Sequence, residues 1–125
     1  MRSRYDGGIR IDPPMNWEEI RRVLDLPRMK DGWEVRLVVE EHTEHTKTGQ
    51  MTIKVCSEIM PWTTGPYKGY YVQEAIQSII DACPDLTFSG YLDVVLEDGS
   101  EFFRWAVKNG REVVRVDPVI TWNMP

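Results

Sequence analysis

The chain has 125 residues, and 15 Lys+Arg against 20 Asp+Glu leave a formal charge of −5 at pH 7. A hydrophobic share of 42% and a charged share of 28% are ordinary globular values and argue against disorder, and the length suits a single domain over residues 1–125. The acidic balance argues against nonspecific binding to nucleic acid or to an anionic membrane surface, both of which depend on clustered Lys and Arg.

In chain order, Ser3 to Ile11 reads as a short strand, with Ile9 and Ile11 alternating around Arg10 and Gly7-Gly8 loosening it. Asp12-Pro13-Pro14 is expected to stop it. A helix follows with clear start signals. Asn16 is a good N-cap, Glu19 completes a capping box, and Met15 and Ile20 sit at the staple positions. Trp17, Ile20, Val23 and Leu24 share one face, and Pro27 is expected to end the helix. From Trp33 the period becomes two. Trp33, Val35, Leu37 and Val39 form one half-buried strand, and Met51, Ile53, Val55, Ser57 and Ile59 its hairpin partner, joined by a polar tip at 42–50.

After a loop over 61–69, a second helix is predicted from Tyr71 to Ala82. Val72, Ala75, Ile76, Ile79, Ile80 and Cys83 make a continuous apolar stripe, and Pro84 stops it. The remainder is a meander. Leu86 to Leu96 alternates, Asp98-Gly99 turns the chain, Phe103, Trp105 and Val107 alternate, Asn109-Gly110 turns again, and Val114 and Val116 lie on the next strand. Val119 to Trp122 is a candidate final edge strand. The class is therefore α+β, an antiparallel sheet of five to seven strands with two helices in the order β-α-β-β-α-β-β-β. Its first six elements match the split βαβ, ferredoxin-like pattern. A curved sheet wrapped around one helix is the alternative.

Short pieces along nearly the whole chain carry a family likeness. Ser3-Arg4-Tyr5, Gly8-Ile9 and Pro13-Pro14 before Trp17-x-Glu19-Ile20 are followed by Pro66-Tyr67-Lys68, Phe88-x-Gly90-x-Leu92, Glu97-Asp98-Gly99, Asn109-Gly110-Arg111 and Trp122. Together they resemble a family of small uncharacterised actinobacterial and actinophage proteins, a domain of unknown function. The resemblance implies a small cytoplasmic protein, with a host-directed accessory role if the origin is a phage. It offers no activity and no catalytic residues.

The candidate sites are few. The 61–71 loop gathers Trp62, Tyr67, Lys68 and Tyr70 before a helix start. Neither the strand period nor the helix period claims these residues, so they are the candidate contacts for a partner, or for a phosphate- or ring-bearing ligand, beside the plainer reading of a strand-to-helix loop whose aromatics seal the edge of the core. His42 and His45, among Glu40, Glu41 and Glu44, are a weak metal candidate, because positions i and i+3 on a strand face opposite ways. Cys56 and Cys83 fit buried hydrophobes better than nucleophiles and form no disulfide framework. No secretory signal and no run of about 20 apolar residues is visible, so a reducing cytoplasm with free thiols is expected. With no convergent catalytic set, no cofactor is expected, and the residues favour a non-enzymatic interaction protein with a host or cellular protein as partner.

Overall fold

The computed structural model describes residues 2–30 and 32–119. The element order is β1 (Ser3–Met15), α1 (Trp17–Leu24), α2 (Pro27–Lys30), β2 (Val35–Thr46), β3 (Gly49–Pro61), α3 (Val72–Ala82), β4 (Thr87–Leu96), β5 (Phe102–Lys108) and β6 (Glu112–Val116). The six strands form one open sheet in the order β2-β3-β1-β4-β5-β6. Every neighbouring pair is antiparallel. It follows that β1 and β2 run parallel with β3 between them, and β3 and β4 run parallel with β1 between them. That is the split βαβ arrangement expected from the element order, extended by two meander strands.

One face of the sheet is covered by α1 and α3, which touch each other. The core between them holds Ile9, Met15, Ile20, Ile59, Ile76, Ile79, Ile80, Phe88 and Leu92, all essentially without exposure. The predicted stripe of the second helix is buried in full, from Val72 through Cys83. The predicted capping box is present: the Glu19 N–H donates to Asn16 Oδ1 at 2.9 Å and the Asn16 N–H to Glu19 Oε1 at 3.1 Å. Both staple residues are buried.

Several local expectations are corrected. β1 does not stop at Asp12-Pro13-Pro14 but runs to Met15. Between Arg10 and Met15 its register against β3 slips, so the two prolines lie where no ladder N–H is needed. Pro27 ends α1 but also opens α2, a single turn the sequence reading lacked; a missing N–H costs nothing at the first helical position. In α1 only Ile20 and Val23 are buried. Trp17 stays exposed at the first turn, with the Lys54 ammonium 4.7 Å from its ring centre, and Leu24 is exposed as well.

Along β3 the alternation breaks. Val38 pairs with Glu58 and Val39 with Cys56, so Ser57 is the extra residue of a bulge, and Cys56 and Ile59 are both buried. The polar tip is shorter than expected, a turn at Lys47-Thr48, and His42 to Thr46 belong to β2. At the other end, Val119 lies outside any strand and is exposed, and 120–122 fall outside the described residues.

Two glycines let the central strands close up. Gly7 has φ +112°, and a Cβ there would stand 2.4 Å from the Tyr91 carbonyl oxygen. Gly90 has φ +110°, and a Cβ there would stand 2.5 Å from that of Gly8.

Candidate functional site

The 61–71 loop is fastened to the sheet by its own backbone and by two tyrosines. Ser3 and Tyr67 exchange both backbone hydrogen bonds at 2.9 Å. The Tyr67 hydroxyl donates to the Glu34 carbonyl at 2.6 Å and accepts from the Trp62 N–H at 3.1 Å. The Tyr5 ring packs 4.7 Å from that of Tyr67, and its hydroxyl donates to the Gly69 carbonyl at 3.0 Å. A Cβ at Gly69 would fall 2.6 Å from that hydroxyl, so the chain passes here only as glycine. Burial pushes the Tyr5 hydroxyl up to about 12 and raises that of Tyr67 as well. Both phenols therefore stay protonated donors at neutral pH.

Glu34 completes this anchor. It is the one buried charged residue among those described. Its carboxylate accepts the Tyr71 N–H at 3.1 Å, at the N-cap of α3, where no local side chain serves as cap. Burial pushes its carboxyl above the ordinary range, while the Tyr71 N–H and the nearby Arg28 guanidinium pull the other way. Arg28 stacks 3.7 Å over the Tyr71 ring and pairs with Glu74 at 3.1 Å.

With the loop so pinned, the four loop residues singled out from sequence separate. Tyr67 is 9% exposed and belongs to the core cluster, so the expectation that packing leaves it free is not met. Trp62 and Lys68 lie together on the outside. Tyr70 is exposed but faces a different hollow.

What the alternation pattern concealed is Trp33. Assigned to the buried face of a strand, it instead precedes β2 and is 72% exposed. Its ring lies parallel to that of Trp62, at 7° with centroids 6.0 Å apart. The two indoles line a hollow of about 460 Å3 with Arg2, Pro66, Tyr67 and Lys68. Among the described residues neither Arg2 nor Lys68 is in an ion pair. The result is an aromatic shelf in one hollow with two cations that no ion pair engages among the described residues, on a chain of net negative charge.

The second hollow, about 360 Å3, opens between the start of α3 and the core side of β4 and β5. Tyr5, Tyr70, Phe103 and Trp105 are among its walls, and Arg115 stands at its rim. Arg115 already pairs with Asp117 at 3.0 Å and with Glu101, and its guanidinium covers Phe103 at 3.9 Å.

The remaining candidates sit elsewhere. His42 contacts Glu40 at 3.3 Å, and no group of three or more metal-ligating side chains occurs among the described residues. Cys56 and Cys83 are free and buried, and burial raises both thiols, which disfavours the nucleophilic thiolate. Among the described residues no helix is long and apolar enough to cross a membrane.

The scaffold is thus an α+β split-βαβ sheet that displays an aromatic shelf built from the pinned loop and the segment before β2. The chain belongs to a family of unknown function, DUF6205, whose model matches residues 2–124. Comparison with curated proteins and with solved structures gives no match.

Proposed function

We propose that this chain is a non-enzymatic protein-interaction module whose contact surface is the Trp33–Trp62 shelf flanked by Arg2 and Lys68. The observation that carries it is the placement of two parallel indoles at the surface, Trp62 on the fastened loop and Trp33 beside it on the segment that leads into β2. Burying an exposed tryptophan is favourable in water, and large aromatics on a fixed frame are the usual anchors of protein interfaces. Two cations beside the rings favour a partner segment that combines apolar or proline side chains with carboxylates. The family likeness described above supports a cytoplasmic accessory role of phage or actinobacterial origin.

The test is capture of proteins from a bacterial lysate by the wild-type chain and by W33A/W62A, at low and high salt. The proposal expects a discrete captured partner that the double variant loses and that salt weakens. The same partners held equally well by the double variant would overturn it.

A second reading has its own observation. The 360 Å3 hollow beside Tyr70 is within the size range of small-molecule sites and is walled by aromatic rings. A ring-bearing ligand there would be lost with Trp105→Ala and retained in W33A/W62A, which separates the two readings.

A further inference from the structure

The two margins of the sheet are β6 and β2. At β6 the outward backbone of Val113 is occupied: its N–H donates to Gln77 Oε1 at 2.8 Å, and its carbonyl accepts from Gln73 Nε2 at 3.3 Å. β2 pairs on one side only, with β3, in a register running from Val35 opposite Pro61 to Thr46 opposite Gly49. Among the described residues no strand lies against its other side. Residues 39–52 are all exposed, so the distal part of the hairpin projects as a bare two-stranded arm. Exposed edges in soluble proteins are usually protected by proline, charged side chains, bulges or a covering loop. β2, VRLVVEEHTEHT, contains no proline, and what guards its distal half is the charge of Glu40, Glu41 and Glu44, which a partner bearing histidines in the matching order would neutralise.

The charges on this edge have an unusual symmetry. Around Thr43 the order is Glu41, His42, Thr43, Glu44, His45. Read backwards, every acid becomes a histidine and every histidine an acid. Two antiparallel copies related by a two-fold axis perpendicular to the sheet must pair residues of the same parity, because opposite side chains share a face. With the axis at Thr43, Glu41 meets His45 and His42 meets Glu44, twice over. The same register sets Glu40 opposite Thr46 and Val39 opposite Lys47. One step in either direction destroys the match: one slide sets Glu40 against Glu44, and the other sets Glu44 against itself.

We propose that two copies of this chain pair antiparallel along β2 about Thr43, joining their sheets edge to edge through four cross-strand Glu–His pairs. The occupant of the bare edge is thus a second copy, chosen by charge complementarity. The pairs add to main-chain hydrogen bonds that any strand could make, and they fix the register. Other groups also face these side chains. Glu40 lies 3.3 Å from His42 on the same strand, and Lys54 on β3 lies 3.9 Å from Glu41. On β3, Ile53 stands opposite His42, Gln50 opposite His45 and Met51 opposite Glu44. The protonated imidazole is the form that pairs with a carboxylate, so association tightens from about pH 8 to about pH 6 and weakens with salt.

The test is sedimentation velocity on the full chain and two charge-patterned variants, each checked for its fold by circular dichroism. H42E/H45E places an acid at each of positions 41, 42, 44 and 45, and E41K/E44K places a lysine or a histidine at each of the four. Each is expected to be monomeric by itself. Their mixture is expected to form a heterodimer at least about tenfold tighter than either self-association, which restores every opposite-charge pair. T43C should form an oxidised dimer, because residues facing each other across antiparallel strands are within disulfide reach, whereas T48C should not. Two folded variants that stay monomeric when mixed would overturn the proposal. So would a wild-type chain monomeric at pH 6 up to millimolar concentration, or T48C cross-linking as readily as T43C.

Discussion

The two margins of this sheet are built to opposite rules. At the β6 margin the outward backbone of Val113 is engaged by α3. Gln73 and Gln77 on α3 hold Val113, and Gln77 also donates to the Arg111 carbonyl at 3.0 Å. Arg111 reaches back from the β5–β6 turn to donate to the carbonyls of Ile80 and Cys83 at the end of α3 and of Leu86 just before β4, at 2.7, 2.9 and 2.8 Å. At the β2 margin the strand edge is bare, the hairpin projects, and Trp33 lies in solvent just before the strand begins. One margin spends its side chains on stability, and the other presents them. Substitutions on the two sides should therefore separate into those that unfold the chain and those that leave it intact.

The largest effect belongs beneath α3. Ile76 is fully buried, and Ile76→Ala should destabilise by about 2–5 kcal/mol in denaturant unfolding, the usual cost of truncating a buried Ile. A loss below about 0.5 kcal/mol would break the picture of a helix sealed onto the sheet. Arg111→Met comes next. It removes a charged donor from three carbonyls at and just after a helix C-terminus, and a loss of about 2 kcal/mol is expected by the same measurement. A smaller effect is expected at the start of α1, where Asn16→Ala should cost about 1 kcal/mol through loss of the cap.

Glu34 gives a dependence on pH rather than a single loss. Its folded-state affinity for a proton is raised by burial, so the native chain keeps that proton at pH values where the unfolded chain has released it. Its contribution to stability is present below the ordinary Glu range and declines as pH rises through the raised value. Glu34→Gln keeps an acceptor for the Tyr71 N–H and removes the titration. The variant should gain on the wild type as pH rises from about 4 to 7, measured as the difference in denaturant midpoint. A constant difference across that range would show that Glu34 is not the titrating group.

The closed margin was far more legible in the sequence than the open one. A long apolar stripe with period 3.6, as in Val72 to Cys83, has one way to bury itself, and Asn16 with Glu19 states a helix start through the backbone groups it satisfies. The strands of the meander were marked by turns whose glycines adopt positive φ, Gly99 at +73° and Gly110 at +75°. Alternation failed where one extra residue intervened. The bulge at Ser57 reversed the faces of β3, and nothing in the local pattern announces a bulge.

The candidate site was half legible. Trp62 and Lys68 stood out because neither period claimed them. Tyr67 stood out for the same reason and is core, because its burial depends on Ser3, Tyr5 and Glu34, all distant in sequence. Trp33 was hidden by lying in step with Val35 and Leu37, although the preceding turn residues place it before the strand. Arg111 could have been inferred. The second helix ends on Ala82-Cys83-Pro84 with no basic residue in its last turn, so its carbonyls needed a donor from elsewhere.

A shelf that recognises a partner must be displayed rather than packed. The direct measurement is the thermal melting of W33A/W62A beside that of Tyr67→Ala. The displayed shelf predicts a double variant melting within about 4 °C of wild type, because both rings lie outside the core cluster and removing such surface side chains changes stability by roughly 1 kcal/mol or less. It also predicts a fall of about 10 °C or more for Tyr67→Ala, whose ring is core. A double variant that melts as early as Tyr67→Ala would contradict it and return both tryptophans to the fold.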